Sequence, residues 1–134
     1  MRTLPRKVAL GLTALTSFVI GSLLVFAPGV LFGLNGIVLD PSAAMMSEIR
    51  SPGVLILHVG VVATAGLMNQ GFDRPALLVS AGLLLAYGVG RLISLPLDGM
   101  PPMSLQVAAA VELSLGAWCA MLALPRSERQ AASA

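Results

Sequence analysis

The sequence predicts an all-α membrane protein: four transmembrane helices in an antiparallel bundle, with both termini cytoplasmic. Three observations lead there. Only 10% of the 134 residues are charged while 57% are hydrophobic, against about 25% charged in an average soluble domain. Four long stretches, Val8 to Phe26, Gly53 to Met68, Pro75 to Leu95 and Met103 to Leu124, are almost free of charge. Six of the seven basic residues outside them fall on one side of a four-span chain. About 20 apolar residues cross the hydrocarbon of a bilayer, so four spans use most of the chain, and residues 1–134 read as a single four-helix transmembrane domain.

The first helix, about 8–26, follows the basic start "MRTLPRK". Its apolar run exceeds the roughly 7 to 15 residues of a cleavable signal and leads into Pro28, so it reads as a retained helix. Residues 29–51 make a long, partly helical extracytoplasmic segment. In it Asp40 followed by Pro41 reads as a cap and first-turn pair opening a helix through "SAAMMSEIR". Pro52 disfavours helical geometry at Ser51, so this segment ends there or enters the second helix, about 52–70, through a kink. In "NQGFDRP" Gly71 stops that helix and Pro75 opens the third, about 75–95, giving a tight hairpin. The prolines and the Asp98, Gly99 pair of "PLDGMPP" then end the third helix before the fourth, about 103–124. Small residues on helix faces predict close backbone approach: Thr13, Ser17 and Gly21, then Gly53, Gly60 and Thr64, then Gly82, Gly88 and Gly90.

Orientation follows from the basic residues. Arg2, Arg6, Lys7, Arg74, Arg126 and Arg129 share one side of a four-span protein, which the positive-inside rule makes cytoplasmic. Arg50 and Arg91 fall on the other side with Asp40, Glu48 and Asp98. The net charge of +2 is this topology signal. The basic residues are few, separated and without interleaved aromatics, which argues against nucleic-acid binding.

Within "YGVGRLISLPLDGM", Arg91 interrupts an apolar run. By helix rise it lies about 6 Å below the outer boundary, on a stripe with Tyr87 and Ser94, while Glu112 lies about 14 Å deep and His58 about 9 Å. A charge near the bilayer centre costs about 2.5 to 3.5 kcal/mol on insertion scales. Glu112 must therefore be paired or neutral, with Arg91 its natural partner and His58 the next. Glu48, Arg50 and Asp98 ring the mouth of this outer half. The candidate ligand-binding or buried polar cluster is thus Glu48, Arg50, His58, Arg91, Asp98 and Glu112. A single histidine and a single cysteine, Cys119, exclude an intramolecular disulfide and argue against a metal site. No cofactor is expected. Nucleophile-elbow, zinc-protease, phosphate-loop and dinucleotide motifs are absent from the sequence, so no catalytic residue is assigned.

The order "SEIR", a glycine-bearing helix, "GRLISLPLDG" and a helix with one central glutamate resembles small four-helix bacterial inner-membrane proteins of the uncharacterised DUF4345 type. The resemblance runs roughly from Leu10 to Leu124. It implies a four-helix membrane fold in a bacterial inner membrane and marks Glu48, Arg50, Gly90, Arg91, Leu92, Asp98, Gly99 and Glu112. The chain departs from the pattern after Arg50, where "SPGV" replaces an aromatic and paired glycines. The resemblance implies no activity. The expected function is an accessory or scaffold component whose polar cluster holds the bundle together, with a membrane-protein partner or a second copy. The alternative is a binder or transporter of a lipid or small lipophile, with Glu112 as the group that would couple to protons. An enzyme using His58, Glu112 and Arg91 as base, acid and anion clamp is a third class, for which nothing in the spacing specifies a reaction.

Overall fold

The computed structural model describes residues 3–124. The chain forms α1 (Leu4–Phe26), α2 (Pro28–Leu34), α3 (Ala43–Met68), a 3-10 turn (Gln70–Phe72), α4 (Asp73–Asp98) and α5 (Met103–Ala123). The four longer helices are long and apolar enough to cross a membrane. Arg2, Arg126 and Arg129, half of the basic residues behind the orientation argument, lie outside the described residues.

Helix starts differ from the sequence expectation in instructive ways. The first helix begins at Leu4, because Pro5 stands in the first turn, where a missing N–H costs nothing. This takes Arg6 and Lys7 into the helix. The cap of α3 is Ser42, whose side chain accepts from the Met45 N–H at 3.3 Å, so the Asp40, Pro41 pair lies just ahead of the helix. From there α3 runs unbroken through Pro52. Proline deprives the Glu48 carbonyl of its usual donor, yet the Ser51 hydroxyl holds the same turn by donating to the Ser47 carbonyl at 2.9 Å. Likewise α4 starts at Asp73, placing Pro75 inside its first turn, and passes Pro96 to reach Asp98. The turn beyond Pro96 is held by the Gly99 N–H donating to Leu95 and by Ser94 Oγ donating to Asp98 at 2.7 Å. Gly99 ends α4 at φ 92°, a conformation other residues avoid.

Packing is arranged by size. Large apolar side chains such as Leu15, Val54, Leu78, Ile93 and Met121 point outward. The interior holds many small ones, including Ala9, Ala14, Ala63, Ala76 and Ala81. This is the pattern of helices surrounded by lipid, where close backbone contact replaces hydrophobic exclusion. α1 lies along α3, and α4 lies along α5. In the first pair Gly21 faces Leu57 and the Gly53 carbonyl, Gly53 faces Leu24, and Gly60 faces Ser17. In the second, Gly88 receives Leu113 and Gly116 receives Leu85. Thr13, Ser17 and Gly21 are buried as their spacing predicts. Gly82 and Gly90 instead face outward into open space, so of the three helix-four glycines only Gly88 makes a helix contact.

The two pairs meet at one end of the molecule, the Arg6 end. There Gly66 of α3 abuts Ala76 of α4, and Thr13 of α1 touches Cys119 of α5, the oxygen and sulfur lying 3.8 Å apart. Leu10, Leu77, Leu115 and Leu122 complete this core. Toward the opposite end, the Arg91 end, the pairs enclose cavities. A strap made of α2 and the residues after it crosses that end, pinned to α5 where Ser104 Oγ donates to Asn35 Oδ1 at 2.6 Å.

An ion pair in the wall of an apolar cavity

At the Arg91 end a cavity of about 380 Å³ lies between the helix pairs and beneath the strap. Ligand pockets generally occupy about 300 to 1,000 Å³, so this one is large enough to hold a small molecule. Its apolar walls come from Ile20 and Leu24 of α1, Leu31 and Phe32 of α2, and Ile49 and Ile56 of α3. The polar atoms come from Asn35, Glu48, Tyr87, Arg91 and Glu112.

The helix register explains who is present. Tyr87 and Arg91 are four residues apart and share a face of α4. Glu48, Ile49, Pro52 and Ile56 similarly share a face of α3. Arg50 lies two residues beyond Glu48, which is about 200° around a helix, and His58 stands in the same relation to Ile56. Both are therefore turned away. Arg50 lies with Met46, Ser47 and Val54 in a separate shallow hollow, and His58 is exposed on the outer face. Asp98 is also exposed, one helical turn from the Ser94 hydroxyl that bonds it. Of the six predicted residues the structure brings Glu48, Arg91 and Glu112 to one cavity, and places Arg50, His58 and Asp98 outside it.

Arg91 and Glu112 form a two-pronged pair. Nε donates to Oε2 at 2.8 Å and Nη2 donates to Oε1 at 3.1 Å. Such parallel contacts are among the stronger side-chain interactions, because geometry and charge reinforce one another. Both carboxylate oxygens are engaged. The guanidinium is not exhausted: it has five N–H donors, two are used here, and Nη1 makes no bond among the described residues. The Tyr87 hydroxyl beside it also has no protein partner there. The side chains keep 30% and 17% of their exposure, so the pair is open to the cavity rather than sealed in a helix seam.

Asn35 and Tyr87 are the polar cavity residues outside the six predicted from sequence. For Asn35 a local signal existed: the Asn35, Gly36 pair marks the turn that closes the strap. Gly36 takes φ 73° there. Tyr87 stands on the Arg91 stripe, but a single tyrosine there is no signal of a site by itself.

A second ion pair lies outside the six residues predicted from sequence. At the Arg6 end Nη1 of Arg6 donates to Asp73 Oδ2 at 2.7 Å and Nη2 donates to the Leu122 carbonyl at 2.9 Å. Arg74 Nε donates to the Ala123 carbonyl at 3.0 Å. These basic side chains satisfy the last carbonyls of α5, which have no partners within their own helix. Among the described residues no group of three or more histidine, cysteine or acidic side chains could hold a metal ion.

Comparison with curated proteins and with solved structures gives no significant match. A family model does match, and it covers residues 5–123, nearly the whole chain and both ion pairs. The protein belongs to the family defined by the domain of unknown function DUF4345.

Proposed function

We propose that this protein binds a lipid-like amphiphile in the cavity at its Arg91 end. The observation that carries the reading is a guanidinium whose charge is balanced but whose donors are not used up, set in an otherwise apolar wall. A hydrogen-bond-accepting headgroup fits Nη1 of Arg91 and the Tyr87 hydroxyl, and an apolar tail fits the remaining walls. Release of Glu112 by an anionic headgroup is the step at which a proton would be taken up, which is how transport through this site would couple to protons.

The accessory or scaffold reading has less support. A pair whose main task was to hold the bundle would bridge the two helix pairs. Arg91 and Glu112 instead join α4 to α5, helices already linked by a four-residue connection and packed through Gly88 and Gly116. The same proposal places the protein in a bacterial inner membrane with the Arg6 end cytoplasmic, on the positive-inside argument from Arg6, Lys7 and Arg74. A green fluorescent protein fused after Ala134 should fluoresce; a dark fusion that is active as a periplasmic phosphatase fusion reverses the orientation.

The test of binding is native mass spectrometry of the protein released gently from its own membranes. We expect a reproducible small amphiphile that is lost from a folded Arg91→Leu, Glu112→Leu double variant. A protein that is empty and carries another polypeptide instead overturns the binding reading in favour of the accessory one.

A further inference from the structure

The cavity beside Arg91 is the last of three hollows in a row. On the outer surface a groove runs along the seam of α1 and α5, lined by Leu12, Thr16, Val111 and Trp118 among others. Beneath it lies a second chamber of about 320 Å³, which shares Thr16 and Val111 with the groove. That chamber in turn shares Ile20, Ile56, Tyr87 and Glu112 with the cavity that holds Arg91. The seam is closed below, toward the Arg6 end, where Thr13 meets Cys119. It is closed above by the Ser104 to Asn35 hydrogen bond that pins the strap. Between these two closures α1 and α5 part.

We infer that the α1 and α5 seam is a lateral portal and tail site: a single-chain amphiphile enters from the lipid between these helices, leaves its tail in the second chamber and places its headgroup at Arg91. The inference rests on the binding reading and adds to it the route, the number of tails and the residues that select them. Charge and polarity support this orientation. The groove and second chamber are mostly apolar, with Thr16, Ser17, Tyr87, Ser104 and Ser114 as the uncharged polar exceptions, and charge enters only at Glu112. The Thr16 hydroxyl is already spent on the Leu12 and Thr13 carbonyls, which lowers the polarity of the seam. A tail left along this route lies in hydrocarbon-like surroundings while the head sits at the guanidinium. One chain fits a chamber of this size, whereas a two-tailed lipid would have to leave its second tail outside. Tyr87 and Glu112 are positioning residues where the two hollows meet, because they line both.

The experiment uses the full chain in lipid nanodiscs with two photoreactive carboxylates, hexadecanoate and octanoate, each carrying a diazirine at the tail end. In the unmodified protein the hexadecanoate probe should label the seam, at Thr16, Val107 or Val111, in competition with unlabelled hexadecanoate. Octanoate should label residues nearer Arg91, such as Tyr87 or Ile56. Ala108→Trp, which fills the second chamber, should abolish seam labelling by the long probe and slow labelling by the short one. If the long probe labels only Leu31, Phe32 or Ile37 under the strap, with or without Ala108→Trp, the portal is overturned and the binding reading stands. If neither probe gives saturable labelling, both are overturned. Should Ala108→Trp fail to fold, the label map of the unmodified protein decides between these outcomes.

Discussion

Arg6 and Arg91 each reach a carboxylate on another helix, yet the two ends of the molecule use the same chemistry for opposite ends. Arg6 bonds both Asp73 and the Leu122 carbonyl, so one guanidinium ties α1 to the start of α4 and the end of α5. Around it lie the buried alanines, leucines and Cys119 of the main core. Arg91 spends its bonds on Glu112 alone, within one helix pair, and faces a cavity. An arginine that spans elements in a filled interior locks them. An arginine that is satisfied within one pair leaves the neighbouring space free for something else.

The steepest test of this contrast is steric. A Cβ added at Gly66 would collide with Ala76 where α3 meets α4. Overpacking costs about 1 to 3 kcal/mol and sometimes more, and Gly66→Leu should take the upper part of that range, visible as lost folded yield and earlier unfolding in a detergent titration. Gly82→Leu, where nothing lies within 4 Å, is the control and should be neutral. Equal effects would mean that the α3 and α4 contact at Gly66 is no tighter than the outer surface at Gly82.

Next in size is the Arg91 pair. Breaking a fully buried pair by removing one partner costs about 3 to 5 kcal/mol; the 30% exposure of the Arg91 side chain brings the expected loss nearer to 2 kcal/mol. Arg91→Leu with Glu112→Leu should recover part of it, because no lone carboxylate then faces the cavity. Strictly additive losses in the cycle would mean that the two groups do not depend on each other.

Arg6→Leu should cost about 1 to 2 kcal/mol through the lost charged hydrogen bonds. Its distinguishing effect is local: faster amide exchange at the end of α5, around Leu122 and Ala123, with cavity occupancy unchanged. Lost occupancy would show that the closed end governs the open one. The smallest effect is expected at Ser42→Ala, which removes the α3 cap at a cost of about 0.5 to 1 kcal/mol. Asp40→Ala should be silent beside it, and the reverse result would return the cap to the position first expected from the Asp40, Pro41 pair.

How much of the site was legible follows from the same two ends. Arg91 and Glu112 were found from cost alone, since a charge at depth needs a partner and helix rise gives the depth from position in the chain. The Arg6 pair was missed because Asp73 lies in the short connection beside Arg74, where a carboxylate reads as a solvated loop residue. Arg50 and His58 were included because their heights were right, but height says nothing about the direction in which a side chain points.

The sequence by itself determined four long apolar helices, the connections between them and the presence of two opposite charges in one half of the bundle. These are local quantities: a run of about 20 apolar residues is long enough to span whatever its neighbours do. Tertiary structure alone decided which face of each helix turns inward, that Gly88 packs while Gly82 and Gly90 do not, and that the pairs part at one end. The physical reason is the surroundings. In water an apolar stripe marks the buried face, whereas in lipid both faces are apolar, and the contact between particular small and large residues on neighbouring helices sets the inward one.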